Sequence, residues 1–256
     1  MKRKNNFQID HYKLFLYTLV LFMFFSLFII SFEWSQNYQK LSISNILISK
    51  PKILNESVYK KALGDIKGLK INLMNLKKII DSLEDHPYVE AVRASYRYPN
   101  TLKVEILERE PIAILNSDPI LMLDKNGYVL PDINNSNHFS LPVMSNYNTE
   151  MELYPIGEKV LSVKAKQSIE WLSLIQNNYQ FLYNNLSEIR LLSGENIELI
   201  LLDEPTKILM GNTRFQDKIE ILKEFKINLN PYKRLTDFSY LDMRYKNQII
   251  GKPRNS

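Results

Sequence analysis

The stretch GLKINLMNLKKIIDSLEDHPYVEAVRASYRYPNTLKVEILEREPIA, residues 68–113, decides the fold of the region around it. Its first half predicts a helix over residues 76–85, because Leu and Ile recur there at helical spacing on one face. Asn75 can cap the start of this helix. His86-Pro87 ends it, since the residue before a proline disfavours helical backbone.

The second half of the stretch predicts two neighbouring strands, residues 88–98 and 101–109, joined by a turn at Tyr98-Pro99-Asn100. Upstream, residues 41–48 predict another strand, and Asn55 can cap a helix over residues 56–66. The order strand, helix, helix, strand, strand predicts a two-helix layer packed on a small sheet.

A second folded region is predicted further along the chain, where short strands alternate with two longer helices and a hairpin turn at Lys125-Asn126-Gly127. The predicted strands are residues 113–116, 120–124, 128–130, 187–192, 196–202, 206–211 and 240–245, the last with an extension to Ile250 left open, and the predicted helices are residues 162–183 and 214–227. The chain as a whole is therefore predicted to be an α+β protein with a C-terminal mixed β-sheet domain and flanking helices.

A membrane span is predicted from Leu14 to Phe32, LFLYTLVLFMFFSLFIISF. These nineteen residues carry no charge, and as a helix they are about 28 Å long, close to the ~30 Å hydrocarbon core of a bilayer. Basic residues precede the span and Glu33 follows it, so the positive-inside tendency places the N-terminus in the cytoplasm. A cleaved signal peptide is the alternative, but the following residues offer no small-x-small cleavage site.

Composition excludes several classes of site. The chain of 256 residues has no cysteine, which excludes a disulfide framework, a thiolate nucleophile and a cysteine-type zinc site. The formal charge is +5, but residues 1–13 carry a net +3, and the other 29 basic and 27 acidic residues nearly cancel. A nucleic-acid-binding protein concentrates positive charge on its folded domain, so no nucleic-acid partner is predicted.

The stretch 68–113 resembles a POTRA domain of the FtsQ/DivIB family of bacterial cell-division proteins. The resemblance lies in three motifs that follow in order: Pro87-Tyr88-Val89, Arg97-Tyr98-Pro99, and Glu108-Arg109-x-Pro111-x-Ala113. Three later stretches are also similar to the family, LMLDKNGYVLP (residues 121–131), KILMGNTRFQDKIEILKEF (207–225) and YLDMRYKNQII (240–250). The resemblance and the span together imply a cytoplasmic tail (1–13), a transmembrane helix (14–32), a tether (33–40), a POTRA domain (41–110), a β-domain (111–250) and a C-terminal tail (251–256).

The resemblance also implies a function. Family members are non-enzymatic scaffolds of the division septum in the cell inner membrane, and bind FtsB/DivIC-like and FtsL-like proteins outside the cytoplasm, without a cofactor or small-molecule substrate. The partner adds a strand to the edge formed by the last β-strand. The implied partner-binding residues are Tyr240, Asp242, Arg244, Tyr245, Lys246, Asn247, Gln248, Ile249 and Ile250, with Gly211 and Asn212 in the turn before the last helix. The family often has Arg where Asn212 stands, and this chain lacks the terminal Trp of some members.

The physics of a sheet edge supports such a site independently. An edge strand exposes unpaired N–H and C=O groups that an extended segment can satisfy, and Tyr and Arg are favoured interface anchors. Alternation along residues 240–245 places Leu241, Met243 and Tyr245 on one face. Leu241 and Met243 are predicted to be core residues, whereas for Tyr245 core and interface roles stay open.

Two other function classes are considered. Ser57-Val58-Tyr59-Lys60 matches the S-x-x-K motif of penicillin-binding proteins, but no S-D-N or K-T-G follows, so an anchored cell-wall enzyme is only an alternative. A POTRA-bearing transport or assembly factor is another, although such chains carry repeated POTRA units or a barrel. The histidines, His11, His86 and His138, do not form a metal-binding spacing.

Overall fold

The computed structural model describes residues 11–39, 41–133, 140–229, 233–246 and 248–254. His138 and Asn247 therefore lie outside the described residues. The chain forms two compact units that interleave in sequence. The first comprises the described parts of Met1–Lys50, Glu56–Asp81 and Arg93–Glu105, and the second those of Pro51–Asn55, Ser82–Val92 and Ile106–Ser256.

The first element is helix α1, His11–Gln39, which contains the predicted span. Over His11–Ser35 it is long and apolar enough to cross a membrane by length and composition, which fits a single-pass membrane protein. The bounds of the predicted tether, residues 33–40, stay a prediction. Helix α1 continues through the described part of these residues, as far as Gln39. They contain no glycine or proline that would end it.

The predicted strand–helix–helix–strand–strand order is confirmed. The elements are β1 (Asn45–Ile48), α2 (Glu56–Leu63), α3 (Leu76–Glu84), β2 (Val89–Arg97) and β3 (Thr101–Glu108). The sheet order is β1–β3–β2, and β1 runs parallel to β3. Strand β1 starts later than predicted, since residues 41–43 pair with residues 68–71 instead.

The second unit is built on a mixed sheet of nine strands in the described residues. Its elements are β4 (Pro111–Leu115), β5 (Leu121–Asp124), β6 (Val129–Pro131), β7 (Val143–Ser145), α4 (Val163–Asn178), α5 (Gln180–Asn184), β8 (Leu186–Leu191), β9 (Ile197–Leu201), β10 (Lys207–Gly211), α6 (Phe215–Asn228), β11 (Phe238–Asp242) and β12 (Ile250–Pro253). The strand order is β12-β11-β10-β9-β8-β7-β4-β5-β6.

The core of this unit brings together residues of the sheet and of helices α4 and α6. Leu172 of α4 and Leu222 of α6 are fully buried, together with Leu199 of β9. The rings of Trp171 and Phe215 stack at 4.5 Å between centroids. The continuous helix predicted over residues 162–183 is wrong: α4 ends before Tyr179, whose φ of −145° and ψ of 62° interrupt the helical backbone.

The prediction of the last strand is also wrong in its extent. Strand β11 ends at Asp242 rather than Tyr245, and the chain then turns and returns as β12, which pairs antiparallel with β11. The outermost strand at this end of the sheet is therefore β12, and the site must be sought one strand further out than predicted.

A candidate protein-binding edge

The two ends of the nine-stranded sheet differ. The outer side of β6 is covered by the protein's own chain: the Val129 N–H donates to Glu158 O at 2.9 Å, and the Gly157 N–H donates to Val129 O at 2.8 Å. The outer side of β12 is not paired by any strand within the described residues. The β12 edge is thus the end of the sheet where another chain can add a strand.

Alternation along β12 identifies the groups that face outward. The Arg254 N–H donates to Asp237 O at 2.9 Å, so the backbone of Arg254 points towards β11. The backbone N–H and C=O groups of Lys252 and Ile250 then also point towards β11. Those of Gly251 point away from β11, towards the open side of the strand. Pro253 has no N–H to offer. Within β12, Gly251 is therefore the residue that presents both an N–H and a C=O to an added strand.

Gly251 is also required for β12 to pack on the sheet. A Cβ at this position would lie 2.9 Å from Phe238 Cδ1 and 3.2 Å from Leu241 Cδ2. A side chain at Gly251 would thus displace the Phe238 ring or move β12 away from β11. The lone glycine of the IIGKP sequence is what allows this close approach.

Arg254 anchors the C-terminal end of β12 to neighbouring segments of the second unit. Its guanidinium donates to Thr236 O at 3.2 Å and to Phe238 O at 3.1 Å. It also forms a 2.7 Å ion pair with Glu204 in the turn after β9. A rigid fork of donors can satisfy several acceptors at once, so this single side chain limits how far β12 can move.

Asp242 and Arg244 form a bidentate ion pair where β11 ends. The Arg244 Nη2 lies 2.6 Å from Asp242 Oδ2, and the Arg244 backbone N–H donates to Oδ1 at 3.0 Å. Asp242 is buried, whereas the Arg244 side chain is about half exposed. The hydrogen bonds from Arg244 lower the pKa of the Asp242 carboxyl. Asp242 and Arg244 thus form an ion pair with one buried partner, which fixes the direction of the arginine.

Lys218 of α6 lies beside this pair. Its Nζ donates to Met210 O at 2.5 Å, and burial lowers the pKa of its ammonium group, with Arg214 adding to the effect. A Cβ on Gly211 would meet Lys218 Nζ at 3.3 Å and Arg244 Cγ at 3.4 Å, and the φ of Gly211 is +71°. Glycine is needed at this turn for its backbone conformation and for the space it leaves.

A cavity of about 200 Å³ opens between the start of α6 and the β11–β12 connection. It is lined by Thr213, Arg214, Asp217, Lys218, Ile221, Met243, Arg244, Tyr245, Lys246 and Gln248. Four of these side chains are basic and one is acidic, so the cavity is positively charged. Such a cavity favours a carboxylate-bearing residue of a partner.

The sequence-predicted site residues fall into three groups. The side chains exposed beside the cavity or the edge are those of Asn212, Arg244, Tyr245, Lys246, Gln248 and Ile250. Ile249 packs partly against the core, Gly211 is buried, and Asn247 is outside the described residues. Tyr240 and Asp242 lie within β11 and pair with both neighbouring strands, so their backbone is not available to an added strand, contrary to the prediction.

Leu241 and Met243 are buried, which confirms the prediction that they are core residues. Tyr245 is 54% exposed and is therefore not a core residue, whereas its interface role stays a prediction. Sequence reasoning missed Lys218, Gly251 and Arg254. The glycine in IIGKP could have indicated a close backbone approach at this position. The partners of Lys218 and Arg254 come from other segments of the chain, so no local sequence pattern indicated these two residues.

The residues of the other candidate sites, the S-x-x-K motif and the histidines, do not form a catalytic or metal-binding site in the described part of the chain. Lys60 is held by Glu56 at 2.8 Å on the exposed face of α2, so its ammonium is paired rather than poised beside Ser57 as a base. His86 Nδ1 accepts the Tyr88 N–H at 3.2 Å, and burial lowers the pKa of the imidazole. Across the described ranges, no cluster of three or more His, Asp or Glu side chains could hold a metal ion.

Comparison with known proteins places these features in a family. Residues 41–109 match the model of the FtsQ-type POTRA domain. Residues 110–252 match the model described as "FtsQ/DivIB, C-terminal related", which spans more than half of the chain and includes the β12 edge.

Individual relatives agree with these matches. The chain is 25% identical over 179 residues to "Cell division protein FtsQ" of Geobacter sp. (strain M21), covering 70% of this chain and 64% of that protein. It is 24% identical over 180 residues to the protein of the same name from Geotalea daltonii, with the same coverage. A third, from Rickettsia bellii, is 31% identical over 87 residues, which are 34% of this chain and 33% of that protein. The chain thus spans 64% of the length of the first two relatives, and with both family models matched in order it belongs to the FtsQ/DivIB family.

Proposed function

We propose that this chain is a membrane-anchored scaffold of the bacterial division machinery, which binds FtsB/DivIC-like and FtsL-like partners at the β12 edge to support septum formation. Family membership and the names of the relatives support the division role. Helix α1 and the basic residues before it support a single span with a cytoplasmic N-terminus and both units outside. The observation that carries the binding mode is the unpaired outer side of β12, at a sheet whose other end is covered.

Strand addition at this edge would be short and selective. Within β12, Gly251 supplies one donor and one acceptor. A few main-chain hydrogen bonds of about 1 kcal/mol each give only modest affinity, so side-chain contacts must provide the rest. The cavity beside Arg244 and Tyr245 can receive a side chain that flanks the added strand.

The positive charge of the cavity favours an acidic residue in the partner, and the ring of Tyr245 favours an apolar one next to it. Arg244 is oriented by Asp242 before any partner arrives, so little of its conformational freedom is lost on binding. Binding of this kind requires no reactive side chain, which supports a non-enzymatic role.

The direct test replaces Tyr245 with glutamate in the full-length chain. The expected result is loss of binding to the FtsB/DivIC-like partner with an unchanged melting temperature, because Tyr245 is 54% exposed. Ile227→Glu is the matched control: Ile227 is 72% exposed on α6 of the same unit and should leave binding intact. Unchanged affinity in the Tyr245 variant would contradict the assignment.

A truncation and a topology experiment complete the test. Removing residues 250–256 deletes β12 together with Arg254 and the two residues after it, and should abolish partner binding while the core residues of the second unit stay folded. A reporter that is active only outside the cytoplasm should work at the C-terminus and fail at the N-terminus. Loss of function in Ser57→Ala, with folding and partner binding retained, would instead favour the anchored enzyme.

A further inference from the structure

We propose that the first unit docks on the membrane surface and binds anionic phospholipid headgroups through a face formed by Leu69, Lys70, Leu73, Arg97 and Tyr98, which we name the headgroup face. The inference requires α1 to span the membrane. It is independent of partner binding at β12, which lies in the second unit.

The headgroup face lies next to the point where the chain leaves the membrane. Helix α1 ends at Gln39, and two residues later Leu41 O accepts the Ile71 N–H at 3.1 Å. The Ile43 N–H likewise donates to Leu69 O at 3.0 Å. Segment 69–73 is therefore tied by its backbone to the first residues after α1, and two residues span at most about 7 Å.

The length of α1 gives an estimate of how far the end of this helix, Gln39, lies from the hydrocarbon core of the membrane. The uncharged run of α1 ends at Phe32, and seven further residues lead to Gln39, a rise of about 10 Å. The headgroup layer on each side of a bilayer is about 5–8 Å thick. The folded part of the first unit therefore begins within a few ångströms of the headgroup layer.

Aromatic residues support the same placement. The ring of Trp34, at the end of the apolar part of α1, lies 6.2 Å from the ring of Tyr98. Trp and Tyr are enriched at the level of the headgroups. Tyr98 belongs to the turn between β2 and β3, and Asn100 in that turn accepts the Ser44 N–H at 3.0 Å. This turn and segment 69–73 thus both adjoin residues 41–44.

The headgroup face exposes three large apolar or aromatic side chains close to one another. Leu69 is 46% exposed, Leu73 75% and Tyr98 66%. Single exposed apolar residues need no explanation, but these three flank exposed Lys70 and Arg97 where the chain emerges from the membrane. Apolar side chains mixed with basic ones are the composition of segments that lie in a membrane interface.

The charge distribution selects anionic headgroups. From residue 40 onwards, the first unit has eleven basic and four acidic residues, a net +7, whereas the second unit has a net −4. In the first unit, Lys60 forms an ion pair with Glu56 and Lys103 with Glu105. Neither Lys70 nor Arg97 forms an ion pair within the described part of the chain. The nearly balanced total thus hides a strongly basic unit beside the membrane, where each Lys or Arg strengthens binding to an anionic surface about fivefold.

The test uses the full-length chain in lipid nanodiscs. Because the chain has no cysteine, Leu73→Cys introduces a single thiol for a fluorescent label, and a quencher attached to lipid headgroups reports its contact with the membrane surface. The reference is Leu47→Cys, which is also exposed. It lies on β1, and β1 and its parallel partner β3 both lead away from the turn that contains Tyr98.

In discs with about one third phosphatidylglycerol at low salt, we expect strong quenching at residue 73 and weak quenching at residue 47. Quenching at residue 73 should fall in phosphatidylcholine discs and on adding salt. The double substitution Lys70→Glu with Arg97→Glu should weaken docking at least 25-fold. Lys77→Glu with Lys78→Glu changes the net charge equally on α3 and should have a smaller effect. All four positions are exposed, so the melting temperature should stay unchanged.

Three results would overturn the proposal. Equal quenching at residues 73 and 47 would mean that this face does not rest on the membrane. Quenching that is the same in neutral lipid and at high salt would mean that headgroup charge is not recognised. Protection of residue 73 that appears only after a partner protein is added would make the face a protein-binding surface. Each result leaves partner binding at β12 to be judged by the Tyr245 variant.

Discussion

Replacing Gly251 with valine should separate partner binding from folding. The Cβ would lie 2.9 Å from Phe238 Cδ1 and 3.2 Å from Leu241 Cδ2, inside the ~3.5–4.0 Å separation at which carbon atoms attract. Overpacking of this kind costs about 1–3 kcal/mol. Strand β12 has four residues, and each of its backbone hydrogen bonds contributes about 1 kcal/mol. The substitution therefore removes most of the free energy that holds β12 in place.

Since 1.4 kcal/mol corresponds to about tenfold in affinity, the FtsB/DivIC-like partner should bind roughly 10- to 100-fold more weakly. The free energy of unfolding should fall by no more than about 3 kcal/mol, because β12 can detach without opening the core. Calorimetric titration measures the affinity, and hydrogen exchange at residues 250–254 reports the docking of β12.

Gly64→Ala is the matched control. Gly64 also has a positive φ, +67°, but a Cβ there meets nothing within 4 Å. The control should lose about 1 kcal/mol of stability from backbone strain and no partner affinity. If the Gly251 variant loses exchange protection at β12 and yet binds its partner normally, β12 is not the binding strand.

Two further predictions concern the support of this edge. Arg254→Ala removes the bonds to Thr236, Phe238 and Glu204, so hydrogen exchange at β12 should accelerate and partner affinity should fall severalfold. Arg234→Ala removes a 3.8 Å side-chain ion pair with Asp237 and should change neither, because the backbone hydrogen bonds of Arg234 to Asp237 remain. Asp242→Asn should remove a pH-dependent part of the stability: because the folded-state pKa of Asp242 is lowered, its contribution is fully present above the unfolded pKa of about 3.9 and is lost as pH falls through the folded value. Urea unfolding of both proteins should give a difference that is constant above about pH 5 and shrinks below pH 4, and a constant difference down to pH 2 would contradict the role of the Arg244 pair.

Local patterns predicted most of the fold. The periodic helices around Ile79 and Ile219 and the alternating strand around Val104 lie where their patterns placed them, because each must bury one face. The break at Tyr179 was missed, since its sequence contains neither glycine nor proline. Strand β7 is three residues long and β12 four, which is too short for a periodic signal.

The sequence indicated which residues belong to the candidate site, but not which strand forms the free edge of the sheet. The DMRY sequence drew attention to Arg244 and Tyr245, whose role in partner binding stays a prediction. The position of the free edge depends on where the chain turns after Asp242. That turn allows Gly251 to meet Phe238, a contact between segments that no local pattern specifies. The predicted domain boundaries at residues 40 and 110 stay predictions, because the compact units interleave along the chain.

The segment Ile156–Lys159 that shields β6 has a consequence for assembly. A sheet with two accessible rims could pass hydrogen bonding from one molecule to the next and grow into a fibre. Within the described residues only the β12 rim is unpaired, so under the proposed binding mode the sheet is univalent. Each copy would take up one strand and end the series, which favours discrete complexes over polymers.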